Sequence, residues 1–217
     1  GSTDGLTRYN PKTKRFTLFE HNPKEKYSLS NNRVYSIVED NAGLLWIGTD
    51  EGLNLFDPKQ ERFYHEGGNF KDSLVLKSTI IHHIYKDKQG LLWISSFQHG
   101  VFVIDPDSKK CIAHYDHNPK NSNSIGSSVI FAVTQDLTGS YWVSTLEGLY
   151  HFNPQTKVFT LYENKSYLPG SVTPGHIIKT DHAGLIWIGT IGRGIIYFSP
   201  EPRNFRRYLN DEASMVF

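Results

Sequence analysis

The chain has 217 residues, with 23 Lys plus Arg against 22 Asp plus Glu and a formal net charge of +1. That balance offers no clustered excess charge for a nucleic-acid or polybasic membrane surface, and the longest apolar runs, such as Leu44 to Ile47, are far too short to span a bilayer. The 12 Tyr, 13 Phe and 4 Trp argue against a disordered chain, and the single cysteine, Cys111, excludes an internal disulfide and a multi-cysteine zinc site.

In chain order the first recognisable segment is TDGLTRYNPKTKRFTLF, Thr3 to Phe19. Its text recurs as the second half of four longer copies that begin at Val34, Ile81, Ile130 and Ile177. Each copy centres on a tryptophan, Trp46, Trp93, Trp142 and Trp187, at spacings of 47, 49 and 45 residues. In the first copy, Val34 to Glu39 reads as a strand from its β-branched and aromatic content. A D-x-x-G turn follows: Asp40–Gly43, then Asp87–Gly90, Asp136–Gly139 and Asp181–Gly184 in the other copies. The aspartate side chain suits such a turn, and glycine tolerates the positive φ that closes it. Leu44 to Thr49 is a second strand, apolar without alternation and therefore expected to be covered on both faces. Gly48 and Gly189 follow their tryptophans by two residues, which predicts close backbone approach, with Ser95 and Ser144 as small substitutes. A loop through Gly52, Gly100, Gly148 or Gly194 leads to a third strand ending at Asp57-Pro58, Asp105-Pro106, Asn153-Pro154 or Ser199-Pro200. The fourth strand carries aromatics, such as Phe63-Tyr64.

No stretch holds apolar residues at helical spacing for three turns. Four strands per copy at a period in the forties predict an all-β fold, a β-propeller. The expected parts are a half blade at 3–20, four complete four-stranded blades at about 31–66, 78–117, 127–164 and 174–210, and the start of a further blade at 213–217. The four tryptophans are assigned to packing between blades, because an apolar strand is a poor place for an exposed sugar-stacking ring.

The string W-I-G-T-x-x-G-L-x-x-F-D-P, best seen in Trp46–Thr49, Gly52-Leu53 and Asp57-Pro58, resembles the two-component regulator propeller repeat. The half copy from Asp4-Gly5-Leu6 to Asn10-Pro11, the Asp40–Gly43 turn and the connecting stretches Ser28–Asn32 and His117–Pro119 also fit it; Ser95-Ser96 and Tyr141–Ser144 depart from it. The resemblance implies an arc of a larger, seven-bladed propeller in the periplasmic sensor region of an inner-membrane hybrid histidine kinase. Such receptors detect oligosaccharides and switch on polysaccharide-utilisation genes. The histidine kinase activity would belong to the full-length receptor and not to this segment. The implied partners are an oligosaccharide, the remaining blades and domains of the same receptor, and a second copy through self-association.

The residues themselves give no nucleophile elbow, phosphate loop or cofactor fingerprint, and no cofactor is expected. Ten histidines raise the question of a metal, but none is expected, since no H-E-x-x-H or close His/Asp cluster occurs. His82 and His83 are adjacent on a predicted strand and are expected to point to opposite faces. The ligand candidates are loop residues between strands two and three and at the entry to each blade. They are Asn32, Arg33, Asp50 and Glu51 in the first copy, and Ser78, Phe97, Gln98 and His99 in the second. The third supplies Ser128 and Glu147, and the fourth His176 and Arg193. Two other classes stay open on the residues alone: a protein-binding propeller scaffold using the same loops, and a propeller lyase using His and Glu.

Overall fold

The computed structural model describes residues 1–65, 76, 79–162, 175–190, 194–200 and 206–208, without the side chains of 176 and 206–208. The expected blade limits at 66, 78, 164, 174 and 210, and the expected blade start at 213–217, lie outside the described residues. The chain divides into two compact units, Gly1–His114 and Tyr115–Phe217.

The strands among the described residues form antiparallel sheets laid down in chain order. A two-stranded sheet, β1 (Leu6–Asn10) and β2 (Arg15–Phe19), precedes four four-stranded ones. The first of these is β3 (Val34–Glu39), β4 (Leu45–Thr49), β5 (Gly52–Asp57) and β6 (Arg62–Tyr64). The second is β7 (Ile81–Lys86), β8 (Leu92–Ser96), β9 (Val101–Asp105) and β10 (Lys110–Tyr115). The third is β11 (Ile130–Gln135), β12 (Tyr141–Thr145), β13 (Gly148–Asn153) and β14 (Val158–Leu161). The fourth is β15 (Gly175–Thr180), β16 (Ile186–Thr190), β17 (Ile195–Phe198) and β18 (Arg206–Tyr208). Each is a four-stranded meander of the propeller-blade kind, as the repeat predicts. The expected first strand of the fourth copy begins two residues earlier than its text suggests, at Gly175, because the pairing extends to Gly175↔Thr190.

The aspartate of every D-x-x-G turn does more than shape the turn. Asp40 Oδ1 accepts the backbone N–H groups of Ala42 (2.9 Å) and Leu44 (3.0 Å), and Oδ2 accepts the Trp46 indole N–H at 2.8 Å. Asp87 does the same for Gln89, Leu91 and Trp93, and Asp136 for Thr138, Ser140 and Trp142. Asp181 repeats it for Ala183, Leu185 and Trp187. One carboxylate therefore fixes both the turn and the indole that enters the core, the arrangement a buried Trp N–H requires. The turn glycines have φ of 81°, 87°, 92° and 83°, in the left-handed region that a Cβ disfavours.

Core packing follows the strands. In the first unit, Trp46, with 0% exposure, lies with Leu53 and Leu55 of one blade and with Ile81, Ile84, Leu92, Ile94, Phe102 and Ile104 of the next. In the second, Trp142 lies among Ala132, Leu149, Ile178, Ile186, Ile188 and Phe198. Trp93 is likewise buried, but Trp187 is only half-buried, on a sheet where Ile177 and Ile195 are also exposed. No further sheet covers that flank among the described residues. The half blade docks on the first blade through Leu6, Leu29, Val34, Ile47, Phe56 and Phe63, with Phe19 edge-on to Phe56 (5.0 Å) and Phe63 (5.8 Å).

The two small positions after the tryptophans differ. A Cβ on Gly48 would meet the Ile81 carbonyl oxygen at 2.6 Å, so glycine is required by the next blade's inner strand. Gly189, expected to be equivalent, has Ile177 Cβ of its own blade, at 3.9 Å, as its nearest neighbour among the described residues. Ser144 holds the neighbouring strand by hydrogen bonds instead, donating to the Gly175 carbonyl (2.8 Å) and accepting its N–H (3.1 Å).

Candidate ligand-binding site

The connecting stretch between the half blade and the first blade, residues 21–32, has the same text pattern as residues 117–128 and shares its histidine and serine bonds. His21 Nδ1 lies 2.7 Å from the Leu29 carbonyl, and His117 Nδ1 lies 2.9 Å from that of Ile125. The Ser28 hydroxyl accepts the Asn22 N–H and donates to its carbonyl, and Ser124 treats Asn118 identically. Leu29 and Ile125 are completely buried. These histidines close a loop and orient an apolar anchor; they form no cluster, and no group of three metal-binding side chains occurs among the described residues.

Two ligand candidates belong to these same loops. The Asn32 side-chain oxygen accepts the His21 N–H at 2.6 Å. At the equivalent position, the Ser128 hydroxyl donates to Asp116. Both side chains are thereby engaged in closing their loops.

Arg33 and Asp50 do come together. The guanidinium Nη1 is 3.2 Å from Asp50 Oδ2, and the Tyr35 hydroxyl donates to Asp50 Oδ1 at 2.7 Å. The Tyr35 hydrogen bond, then the Asp50 charge, hold the Arg33 pKa above its ordinary value. Desolvation, then the bond to Asp50, push the Tyr35 phenol up. From Tyr35 a row of rings runs on to the next blade: Tyr35 to His82 at 4.9 Å between centroids, and His82 to Phe97 at 5.4 Å. Phe97 was expected in the site; Tyr35 and His82 were not.

Both additions stand on the same irregularity. Val34 pairs with Thr49 and Ser36 with Gly48, leaving Tyr35 as an extra residue in the inner strand. Ile81 pairs with Ser96 and His83 with Ser95, leaving His82. The third and fourth blades leave Phe131 and His176 in the same way. Such a β-bulge breaks the two-residue alternation and re-aims a side chain, so the expected opposition of His82 and His83 does not follow from their adjacency. His82 joins the partly exposed ring row, whereas burial pushes the His83 imidazole pKa down to about 4. The signal was present in the repeat: each bulge residue stands eleven before its tryptophan, and all four carry a planar ring.

The remaining candidates disperse. Glu51 is exposed beside Asp50, its N–H bound by the Thr49 hydroxyl at 3.2 Å. Gln98 is exposed, and the His99 carbonyl lies 2.7 Å from His114 Nε2 in β10, which ties that loop to the outermost strand. Glu147 is exposed in the second unit, where its charge, after desolvation, helps raise the Tyr150 pKa. Ser78 and Arg193, and the side chain of His176, lie outside the described residues.

The sequence model of the family described as two component regulator propeller matches residues 28–51 and 75–98, each spanning an inner strand, its bulge and the tryptophan strand. No curated protein sequence matches the chain. Among solved structures, the extracellular domain of BT3049, described as a hybrid two component system of B. thetaiotaomicron, is 26% identical with a TM-score of 0.68. The match covers 88% of this chain and 26% of that one. The extracellular domain of BT4673 from the same organism, described as a one component system, is 26% identical at a TM-score of 0.72, covering 98% of this chain and 29% of that one. A second structure of BT4673, described as a hybrid two component system, superposes at 0.75 with 24% identity, covering 96% and 29%. The chain thus spans between a quarter and a third of the length of these three solved chains. Residues 28–51 and 75–98 thus match the two component regulator propeller repeat, and the chain as a whole is similar to the extracellular domains of BT3049 and BT4673.

Proposed function

We propose that the chain is a ligand-sensing, periplasmic propeller segment of a hybrid histidine kinase, that its ligand is an oligosaccharide, and that the intact receptor controls polysaccharide-utilisation genes. The observation that carries this reading is the coincidence of two things on one repeat. The segments matched by the sensor family are the ones that build the bulges, and in the first unit those bulges assemble a partly exposed row of rings beside an ion pair. Apolar rings with a few convergent polar groups are the usual composition of a small-molecule site. The segment itself is read as non-catalytic, with signalling left to the receptor's other domains.

The test is a reporter assay on the intact receptor, challenged with a panel of purified polysaccharides and their oligosaccharide digests. Induction by one glycan class, lost when the segment spanning residues 1–114 is disrupted by Arg33→Ala with Phe97→Ala, is the expected result. A receptor that responds to no glycan, or whose glycan response ignores every change in this segment, would defeat the reading.

A further inference from the structure

We infer that Tyr35, His82 and Phe97, with the Arg33–Asp50 pair at one end, form a subsite for an uncharged pyranose unit of an oligosaccharide. This rests on the sensing reading above and specifies where, by which side chains and for which class of sugar. Tyr35 and His82 are placed by β-bulges, irregularities that concentrate beside functional sites because they redirect a side chain out of the sheet's alternation.

Ring planes along the row are tilted by 47° and 51°, so it is a faceted wall and not one packed stack. Tyr35 is 39% exposed, a large share for an aromatic ring in a strand, while its hydroxyl is fixed by Asp50. The wall is therefore held in place before any ligand arrives, which lowers the ordering cost of binding. Phe97 is anchored at the backbone, its N–H bonded to the Ile80 carbonyl at 3.0 Å. An apolar wall meets the C–H face of a pyranose, and the rim of hydroxyls on such a ring needs fixed donors and acceptors. Arg33 supplies donors, with its side chain 56% exposed and Nη1 facing Asp50, and Asp50 supplies an acceptor.

Charge decides between neutral and acidic sugars. Asp50 already neutralises Arg33, and the exposed Glu51 carboxylate stands next to it. The local balance is thus negative or neutral, which disfavours uronates and sulfated sugars by like-charge repulsion.

The experiment uses the 217-residue chain in isothermal titration calorimetry. The probes are the neutral tetrasaccharides of glucose (α- and β-linked), mannose, galactose and xylose, with tetragalacturonate as the acidic comparison. Tyr35→Ala, Phe97→Ala and His82→Ala are measured beside the parent, each with a thermal melt. Binding of at least one neutral tetrasaccharide, weakened about tenfold or more by Tyr35→Ala and by Phe97→Ala at an unchanged melting temperature, is expected. Tyr35→Phe, which keeps the ring and loses the bond to Asp50, should weaken binding less than Tyr35→Ala does. Three results overturn the proposal: preference for tetragalacturonate, no binding of any neutral probe, or affinity within twofold of the parent in folded ring variants. The third removes this subsite and leaves oligosaccharide sensing intact, whereas silence of the intact receptor towards every glycan removes the sensing reading itself.

Discussion

Replacing Asp40 by alanine deletes three hydrogen bonds in one step: from Ala42 and Leu44 in the turn, and from the Trp46 indole. The indole is the expensive one. Trp46 has 0% exposure, so its N–H cannot turn to water when the carboxylate is gone. Leaving a buried donor without a partner costs about 1–3 kcal/mol. The two turn bonds, made to a charged acceptor, add about 1–2 kcal/mol together once water at the turn replaces them in part. The expected loss is therefore about 2–5 kcal/mol, a drop in Tm on the order of 10 °C for a chain of this size. Asp40→Asn separates the contributions. Its oxygen still serves the turn, but its amide group presents a donor to the indole donor, so about 1–3 kcal/mol should be lost. Urea unfolding followed by circular dichroism, with Trp46→Phe as the third corner of a double-mutant cycle, measures the coupling directly. Coupling below about 0.5 kcal/mol between Asp40 and Trp46 would refute the assignment of the aspartate as the indole's anchor.

Three other outcomes follow from the same structure. Gly48→Ala places a Cβ 2.6 Å from the Ile81 carbonyl and should cost about 1–3 kcal/mol, while Gly189→Ala, with nothing nearer than 3.9 Å among the described residues, should stay within about 0.5 kcal/mol; equal melting temperatures would contradict the difference. Because burial lowers the His83 pKa from 6.5 to about 4, the unfolded chain binds a proton that the folded one refuses between those values. His83 therefore favours the fold fully above pH about 6.5 and loses about 3 kcal/mol as pH falls to about 4; a stability–pH curve no flatter in His83→Gln than in the parent would count against it. Gly126→Ser should destabilise strongly, since its Cβ would fall on the Tyr150 hydroxyl, and Tyr150→Asn should rescue it by recreating the Ser30–Asn54 pair of the first blade, where Asn54 donates to Ser30 at 2.7 Å; a double variant no more stable than Gly126→Ser alone would show that the two blades are not interchangeable there.

The repeat in the sequence was enough to give the all-β blade architecture, the strand order and the turn positions. Those features rest on local chemistry: a carboxylate two and four residues before the amides it binds, glycine where φ is positive, and proline where a ladder must stop. Local rules also explain why Asn32 and Ser128 looked like ligand groups, being polar residues in loops. Only tertiary structure shows that one accepts the His21 amide and the other donates to Asp116, so that both close a connecting loop. The same holds for Gly48, where only the packing of blade on blade shows that the Ile81 carbonyl of the next blade leaves no room for a Cβ. The site itself was partly legible. Arg33, Asp50 and Phe97 stand in loops that a propeller brings together, whereas Tyr35 and His82 lie inside strands, where alternation predicts an ordinary face. An extra residue in each inner strand cancels that alternation, and it becomes visible only when Val34↔Thr49 and Ser36↔Gly48 are paired across the sheet. Sequence periodicity reports the spacing within one strand; the register between two strands, which aims the side chain, is a property of their pairing.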